Sequence, residues 1–175
     1  MSRYDSLSAE QHRQQAPRRV ACAVVTVSDS RTLADDRSGA AIVELLEAAG
    51  HLAAARRIVP DDPAILAPTV RELAALKEID AILLTGGTGV APRDQTPDAI
   101  AGLLTKELPG FGELFRMLSF QEIGAAAMLS RARGGLIGDT AVFLMPGATA
   151  AVRLAMERLI LPEIGHLVQL ARPQA

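Results

Sequence analysis

The run VACAVVTV at residues 20–27 limits the fold more than any other feature of the sequence. It is uncharged, continuous and rich in β-branched residues, which is typical of a strand that is covered on both faces. Further strands are predicted at 52–59, 81–84 and 141–145, and segments with the apolar spacing of helices separate them. Strands that alternate with helices in this way indicate an α/β domain with a mostly parallel central sheet.

Five helices are predicted around these strands, with approximate bounds 38–49, 63–77, 96–108, 111–119 and 149–160. The third helix should have Thr96 as its N-cap, Pro97 in its first turn and Asp98 near the positive end of its dipole. Pro109 is expected to end that helix. The second helix contains Pro68, which has no backbone donor, so we expect a kink or a break at this position.

The chain of 175 residues is long enough for one domain with a full hydrophobic core. We expect a single domain at 20–170, between a flexible N-terminal tail at 1–19 and a short C-terminal tail at 171–175.

The formal net charge of -2 and the 3% aromatic content disfavour nucleic acid as a partner. No apolar run reaches the ~20 residues of a membrane span, and residues 1–19 lack the apolar core of a secretory signal, so a cytoplasmic location is expected.

The residues that follow the predicted strands suggest a ligand site. In open parallel sheets, ligands bind outside the carboxyl ends of the strands. The strand ends carry Ser28 with Asp29, then Asp61, then the Gly-Gly-Thr-Gly of 86–89, and finally Pro146 with Gly147. Each of these loops by itself could be an ordinary turn, because Ser, Asp, Gly and Pro are turn formers. Their occurrence at all the strand ends of one sheet favours a shared cleft.

The glycine loop LTGGTGVAPRDQTPDA (84–99) has two interpretations, a phosphate cradle or a turn between a strand and a helix. Successive amides can bind phosphate oxygens, but the loop lacks both the lysine of a Walker motif and the glycine spacing of dinucleotide folds. Arg93 could clamp a phosphate, and Asp94 could hold Mg²⁺ against a triphosphate. The alternative is a local Arg93–Asp94 pair that braces the loop. With Asp29 and Asp61 at neighbouring strand ends, these residues suggest Mg²⁺-nucleotide chemistry.

Other catalytic chemistries fit the sequence poorly. The three histidines, His12, His51 and His166, are far apart, so neither a zinc cluster nor a catalytic triad is indicated. Cys22 is the only cysteine and lies inside the first apolar run, where a buried side chain is expected rather than a reactive thiol. Ser130 is not surrounded by the Gly-x-Ser-x-Gly sequence of a nucleophile elbow.

The order of several motifs resembles the MoaB/MogA family, which includes the G domains of the plant and animal molybdenum-insertion proteins. The motifs are TVSDS, DRSG (36–39), a strand-end Pro-Asp, LLTGGTG, APRDQTPDA, PGFGE (109–113), MLSR (128–131) and FLMPG (143–147). The resemblance covers about residues 20–170, and the run GFGELFRMLSFQEIG is most similar to the MoaB branch. It implies a three-layer α/β/α fold and a molybdopterin adenylyltransferase, which transfers AMP from MgATP to the terminal phosphate of molybdopterin and releases pyrophosphate.

The resemblance and the strand-end residues together assign roles and partners. Catalysis and Mg²⁺ binding are assigned to Asp61 and Asp94. Nucleotide or phosphate contacts are assigned to Ser28, Asp29, Gly86, Gly87, Thr88, Gly89 and Arg93, and molybdopterin contacts to Ser130, Pro146 and Gly147. The resemblance also implies a homotrimer or homohexamer, with other molybdenum cofactor biosynthesis proteins as further partners. The alternative is a carrier or scaffold that binds molybdopterin without chemistry.

Overall fold

The computed structural model describes residues 17–172. Residues 1–16 and 173–175, which make up most of the two predicted tails, lie outside the described residues. Within 17–172, the helices are too short or too polar to cross a membrane.

The described part of the chain contains six strands and six α-helices, which alternate along most of its length. The strands are β1 (Ala21–Val27), β2 (Leu52–Val59), β3 (Ala81–Thr85), β4 (Lys106–Glu107), β5 (Arg133–Ile137) and β6 (Thr140–Met145). The α-helices are α1 (Arg37–Ala48), α2 (Pro63–Ala75), α3 (Thr96–Ala101), α4 (Pro109–Ile123), α5 (Thr149–Ala155) and α6 (Leu161–Ala171). A 3₁₀ helix, Gly124–Leu129, follows α4, and a π-helical segment, Met156–Ile160, joins α5 to α6.

The strands form one sheet in the order β2-β1-β3-β6-β5-β4. The first four strands in this order are parallel, whereas β5 is antiparallel to β6 and β4 is antiparallel to β5. Thr26 of β1 lies beside Thr85 of β3, which lies beside Met145 of β6. The carboxyl ends of these strands therefore meet at one edge of the sheet, where the loops that follow them converge.

Helices cover both faces of the sheet and give three α/β/α layers, as the family resemblance implied. On one face, Val24 packs with Ile42 of α1 and Phe115 of α4. On the other face, Val25 packs with Leu66 of α2. Successive strand residues point to opposite faces, so a strand that is covered on both faces carries no charge and is mostly apolar. This is why β1 is uncharged and has one polar side chain, that of Thr26.

The two antiparallel strands β4 and β5 were not predicted. Arg133-Gly134-Gly135 has the charge and the glycines of a turn, yet it forms a strand. A Cβ at Gly134 would lie 3.1 Å from Cβ of Phe111, and a Cβ at Gly135 would lie 2.5 Å from the carbonyl oxygen of Lys106. Close packing against α4 and β4 therefore explains both glycines, and local sequence does not reveal that packing.

Several predicted helix bounds are wrong. The helix that begins at Thr96 ends at Ala101 rather than near residue 108. Pro109 starts α4 instead of ending a helix, because proline is favoured in a first helical turn where its missing N–H costs nothing. The last helical segment does not stop near residue 160 but continues through the π-helical segment to Ala171.

The second helix runs without a break from Pro63 to Ala75, with Pro68 inside it. Leu66 and Val70, on either side of Pro68, are completely buried. Their packing against the sheet offsets the hydrogen bond that Pro68 cannot donate, so the expected division of this helix does not occur.

Candidate functional site

A cleft of about 550 Å³ opens where β1, β3 and β6 end. We call it the glycine-loop cleft. Its lining residues are Thr26, Val27, Ser28, Arg31, Ser38, Thr85, Gly86, Gly87, Thr88, Gly89, Asp94, Gly147 and Ala148. The fold therefore brings together Ser28, the 86–89 glycine loop, Asp94 and Gly147 from the predicted site.

The glycine loop carries unpaired backbone donors. The N–H of Gly86 donates to the carbonyl oxygen of Met145 at 3.0 Å. The N–H groups of Gly87, Thr88 and Gly89 make no hydrogen bond to any residue within 17–172. Backbone donors in folded proteins are normally paired, and successive free amides form a concavity that can bind an anion. The loop therefore has the donors of a phosphate cradle.

The first two glycines of the loop are needed for its shape. Gly86 has a φ of 111° and Gly87 a φ of 63°, both in the region that side chains disfavour. A Cβ at Gly86 would lie 2.3 Å from the carbonyl oxygen of Val27. The loop is therefore packed against the end of β1, and a larger residue would push it away.

Asp61 is held beside the glycine loop by one neutral donor. The hydroxyl of Thr96 donates to Oδ1 of Asp61 at 2.8 Å, and a Cβ at Gly87 would lie 2.4 Å from Oδ2 of Asp61. The N-cap of α3 is Gln95, so the prediction that Thr96 caps its own helix is wrong. The N–H of Asp61 donates to Oδ1 of Asp29 at 3.2 Å, which connects the loops after β2 and β1.

Asp94 closes a turn within the loop and packs on its backbone. Its Oδ2 accepts a hydrogen bond from the N–H of Ala91 at 3.0 Å. A Cβ at Gly89 would lie 2.5 Å from the same oxygen. Arg93 is exposed and forms no ion pair with Asp94 or with any other described residue, so the local pair considered above is absent.

Ser130 lies in a second cavity of about 410 Å³, which we call the serine pocket. Its lining residues are Pro97, Asp98, Glu107, Leu108, Pro109, Gly112, Glu113, Arg116, Met128, Ser130, Arg131, Ala132, Arg133 and Gly134. The Ser130 hydroxyl accepts from the N–H of Ala132 at 3.3 Å. Ser130 therefore lines a different cavity from Gly147. Pro146 lines neither of these two cavities, and its carbonyl accepts the Thr85 hydroxyl at 2.9 Å.

A buried carboxylate, Asp36, supports the cleft, although no role is predicted for it from the sequence. Asp36 is 1% exposed and accepts hydrogen bonds from Thr26 at 2.8 Å, from the Gly39 N–H at 2.9 Å and from Arg56 at 2.9 Å. Burial by itself would raise the pKa of Asp36, but the bonds from Gly39, Arg56 and Thr26 outweigh burial and hold that pKa below its usual value. The available signal was the N-cap pattern in DRSG (36–39), with an acid three residues before Gly39.

Two further titratable groups of the described residues, Cys22 and His51, do not add a catalytic centre. Burial, with a smaller contribution from Asp80, raises the pKa of Cys22 to about 12, so its thiol is not a nucleophile at neutral pH. Burial lowers the pKa of His51, whose Nδ1 accepts the Val20 N–H at 3.3 Å. Across residues 17–172, no group of three or more His, Cys, Asp or Glu side chains could hold a metal ion.

Comparison with known proteins identifies relatives over nearly the whole chain. Residues 23–166 match the family described as "Probable molybdopterin binding domain". The molybdenum cofactor biosynthesis protein B of Halalkalibacterium halodurans is 52% identical over 164 residues, which is 93% of this chain and 96% of that protein. The protein of the same name from Bacillus subtilis is 51% identical over 164 residues, with 93% and 96% coverage.

Solved structures that are similar to this chain also come from molybdenum and tungsten cofactor proteins. A crystal structure of a molybdenum cofactor biosynthesis protein B superposes with a TM-score of 0.88 at 50% identity, covering 91% of this chain and 100% of that chain. The tungsten cofactor synthesizing protein MoaB from Pyrococcus furiosus superposes with a TM-score of 0.78 at 36% identity, covering 90% and 100%.

Proposed function

The chain belongs to the family of probable molybdopterin binding domains that act in molybdenum cofactor biosynthesis, and from this premise we propose that it transfers AMP from MgATP to the terminal phosphate of molybdopterin. The products are adenylyl-molybdopterin and pyrophosphate. One observation carries the proposal. Three unpaired amides of the glycine loop lie between two carboxylates, Asp61 and Asp94, that no cation neutralises within the described chain.

The reaction requires no nucleophile from the protein. An oxygen of the molybdopterin phosphate attacks the α-phosphorus of ATP, a new P–O–P bridge forms, and the bond to the β-phosphate breaks as pyrophosphate leaves. Transfers of this type are catalysed mainly by positioning the phosphates and neutralising their charge. A site made of amides, carboxylates and glycines, with a cysteine that stays protonated, suits this chemistry.

Mg²⁺ fits the residues that are present. This ion prefers oxygen ligands and is usually held by one or two carboxylates together with substrate phosphates, rather than by a complete protein cage. Asp61 supplies such oxygens beside Gly87, and Asp94 supplies them beside Gly89. We therefore assign Mg²⁺ to these two carboxylates, where it would neutralise charge on the triphosphate.

The two cavities suggest how the substrates divide. We assign the nucleotide phosphates to the glycine-loop cleft, where the free amides of 87–89 lie. We assign the pterin to the serine pocket, beside Ser130. Arg93, which follows the glycine loop, is exposed to solvent and can contact a phosphate there. Gly147 lines the glycine-loop cleft, where the terminal phosphate of molybdopterin would meet the α-phosphate of ATP.

Self-association into a homotrimer or homohexamer is also part of the proposal. Helix α4 exposes Leu114, Met117, Phe120 and Ile123, which are between 47% and 61% accessible. Four large apolar side chains at three-residue intervals on one helix are more than scattered surface residues, and stable homomeric interfaces are apolar. The proposed location is the cytoplasm, where other molybdenum cofactor biosynthesis proteins would supply molybdopterin and accept its adenylylated form.

The decisive test incubates the purified full chain with molybdopterin, ATP and Mg²⁺ and measures AMP-linked pterin and pyrophosphate. The proposal predicts both products in equal amounts, and no product when ATP is replaced by a non-hydrolysable α,β-methylene analogue. Clear pterin binding with no AMP-linked product would contradict the transferase and favour the carrier. Binding of ATP without any affinity for the pterin would contradict both the transferase and the carrier.

Assembly is tested by sedimentation of the wild-type chain and of Phe120→Glu. The wild type should sediment as a trimer or a hexamer at micromolar concentration, and the charge on α4 should produce smaller species. The matched control is Ile65→Glu, which places the same charge on an apolar side chain that is 44% exposed on α2. A monomeric wild type, or equal dissociation by both variants, would contradict the assignment of α4 as the contact.

A further inference from the structure

We infer that Arg131 is a positioning residue that fixes Asp94 and the glycine loop in the geometry that adenylyl transfer needs. The inference rests on the proposed function for its catalytic consequence. Its structural basis is independent of that function. Arg131 follows Ser130 and precedes β5, so the sequence separates it from the glycine loop by about forty residues.

The side chain of Arg131 makes three hydrogen bonds, all of them to the loop and the helix start that follow β3. Nε donates to the carbonyl oxygen of Gly89 at 2.9 Å, and one terminal nitrogen donates to the carbonyl oxygen of Asp94. The other terminal nitrogen donates to Oδ2 of Asp98 at 2.8 Å. The backbone N–H of Arg131 adds a fourth bond, to the carbonyl oxygen of Thr88 at 3.1 Å.

These contacts fix the part of the loop that carries the proposed metal ligand. Gly89 and Asp94 are the two residues whose close approach brings the Asp94 carboxylate against the loop backbone, where a Cβ at Gly89 would lie only 2.5 Å from Oδ2. A single guanidinium, that of Arg131, therefore binds the carbonyl oxygens of both residues. The Asp94 carboxylate adds a bond within the turn, because it accepts the N–H of Ala91.

Arg131 differs from two exposed arginines, Arg57 and Arg153, that also pair with acids. Arg57 and Arg153 each bind one exposed carboxylate, Glu72 and Glu44, and such surface pairs contribute little to stability. Arg131 uses its planar fork of donors on two carbonyl groups and one carboxylate at the same time. A lysine has a single ammonium group at the end of a flexible chain and cannot reproduce that fork, so the exchange is not conservative here.

Arg131 also lies between the two cavities. Its side chain lines the serine pocket, whereas Gly89 and Asp94, whose carbonyls it binds, line the glycine-loop cleft. Replacing Arg131 should therefore alter the positions of Gly89 and Asp94 in the glycine-loop cleft, although it removes no side chain that lines this cleft.

The experiment compares the full-length wild type with Arg131→Met, Arg131→Lys and the matched control Arg57→Met, which also removes an arginine that pairs with one acid. The first measurement is hydrogen exchange of a peptide that spans residues 88–95, with no substrate present. The second is kcat, KM for ATP and the Mg²⁺ concentration at half-maximal rate.

Both Arg131 variants should exchange faster at 88–95 and lose about 100-fold in kcat, because small displacements of a catalytic group have effects of this size. They should also need more Mg²⁺ for half-maximal rate, a change that a loss of folded protein would not produce. Arg57→Met should behave as wild type in all of these measurements.

Unchanged exchange at 88–95 in Arg131→Met would overturn the inference, as would a wild-type kcat and Mg²⁺ requirement in Arg131→Lys. Faster exchange in both Arg131 variants, with no adenylyl-pterin from the wild type, would support the positioning role and overturn the proposed function instead. Reduced melting temperature with an unchanged Mg²⁺ requirement in the folded fraction would mean that Arg131 only stabilises the fold, and would overturn the inference.

Discussion

Two carboxylates near the carboxyl edge of the sheet, Asp36 and Asp94, have opposite surroundings. Asp36 is buried, and the guanidinium of Arg56 neutralises it at 2.9 Å. Asp94 is half-buried beside the cleft, its oxygen accepts from the uncharged N–H of Ala91, and no ion pair links it to any described residue. Asp61 resembles Asp94, because its hydrogen bond comes from the neutral hydroxyl of Thr96.

The difference separates a structural carboxylate from a functional one. A buried charge must be neutralised and fully hydrogen-bonded by the protein, so Asp36 has no capacity left for a ligand. A carboxylate that is fixed in place by neutral donors keeps its negative charge and its remaining lone pairs. Asp61 and Asp94 are therefore positioned, but still available to a cation that arrives with a nucleotide.

The largest expected effect is on catalysis. Asp94→Asn and Asp61→Asn each remove a charge that no residue within 17–172 neutralises, so adenylyl-pterin formation should fall by about 1,000-fold or more. The fold should remain, because asparagine keeps an oxygen that accepts the same hydrogen bonds. Product formation and the melting temperature are measured in parallel, and wild-type turnover in both variants would show that the assigned carboxylate role is wrong.

The matched change at Asp36 should have its effect on stability. Asp36→Asn leaves Arg56 without its anionic partner and weakens the bonds from Gly39 and Thr26, so the free energy of unfolding should fall by about 3 kcal/mol. Urea denaturation monitored by circular dichroism measures this loss. A variant of Asp36 that is as stable as Asp94→Asn would remove the distinction drawn between the two carboxylates.

The pH dependence of stability should reveal the same contrast. The pKa of Asp36 is lowered in the folded state, so its contribution to stability is complete above the unfolded value of about 3.9 and is lost as the pH falls through the folded pKa. The difference in unfolding free energy between wild type and Asp36→Asn should therefore shrink as the pH is lowered below about 4. A difference that stays constant down to pH 2 would contradict the assigned cause.

The smallest expected effect comes from the neutral donor to Asp61. Thr96→Val keeps the shape of a completely buried side chain but removes the hydroxyl that donates at 2.8 Å. One hydrogen bond to a charged group is worth about 2 kcal/mol, and water can replace part of it at a half-buried carboxylate. We expect a loss in kcat/KM of about tenfold, with Thr96→Ser close to wild type. Equal losses in Thr96→Ser and Thr96→Val would show that packing, not the hydroxyl, is responsible.

Local patterns predicted the elements that are defined by local physics. The apolar runs of β1 and β3 are visible because a strand that is buried on both faces is uncharged and mostly apolar. The antiparallel strand β5 was missed because its two glycines are dictated by Phe111 and by the carbonyl of Lys106, which are distant in sequence. The end of the helix that begins at Thr96 was predicted wrongly because a proline can either follow the end of a helix or occupy its first turn. The sequence pattern indicates the former for Pro109, but Pro109 is the first residue of α4.

The sequence by itself determined the α/β class, the position of the glycine loop at a strand end, and the family, because buried strands, turn residues and motif order are properties of neighbouring residues. Only the tertiary structure decided which side chains meet at that loop. The Thr96–Asp61 bond joins residues 35 positions apart, and Arg131 reaches Gly89 across 42 positions. Such contacts depend on how strands and helices pack. No local pattern could therefore show that, among the described residues, Asp36 has a cationic partner whereas Asp61 and Asp94 have none.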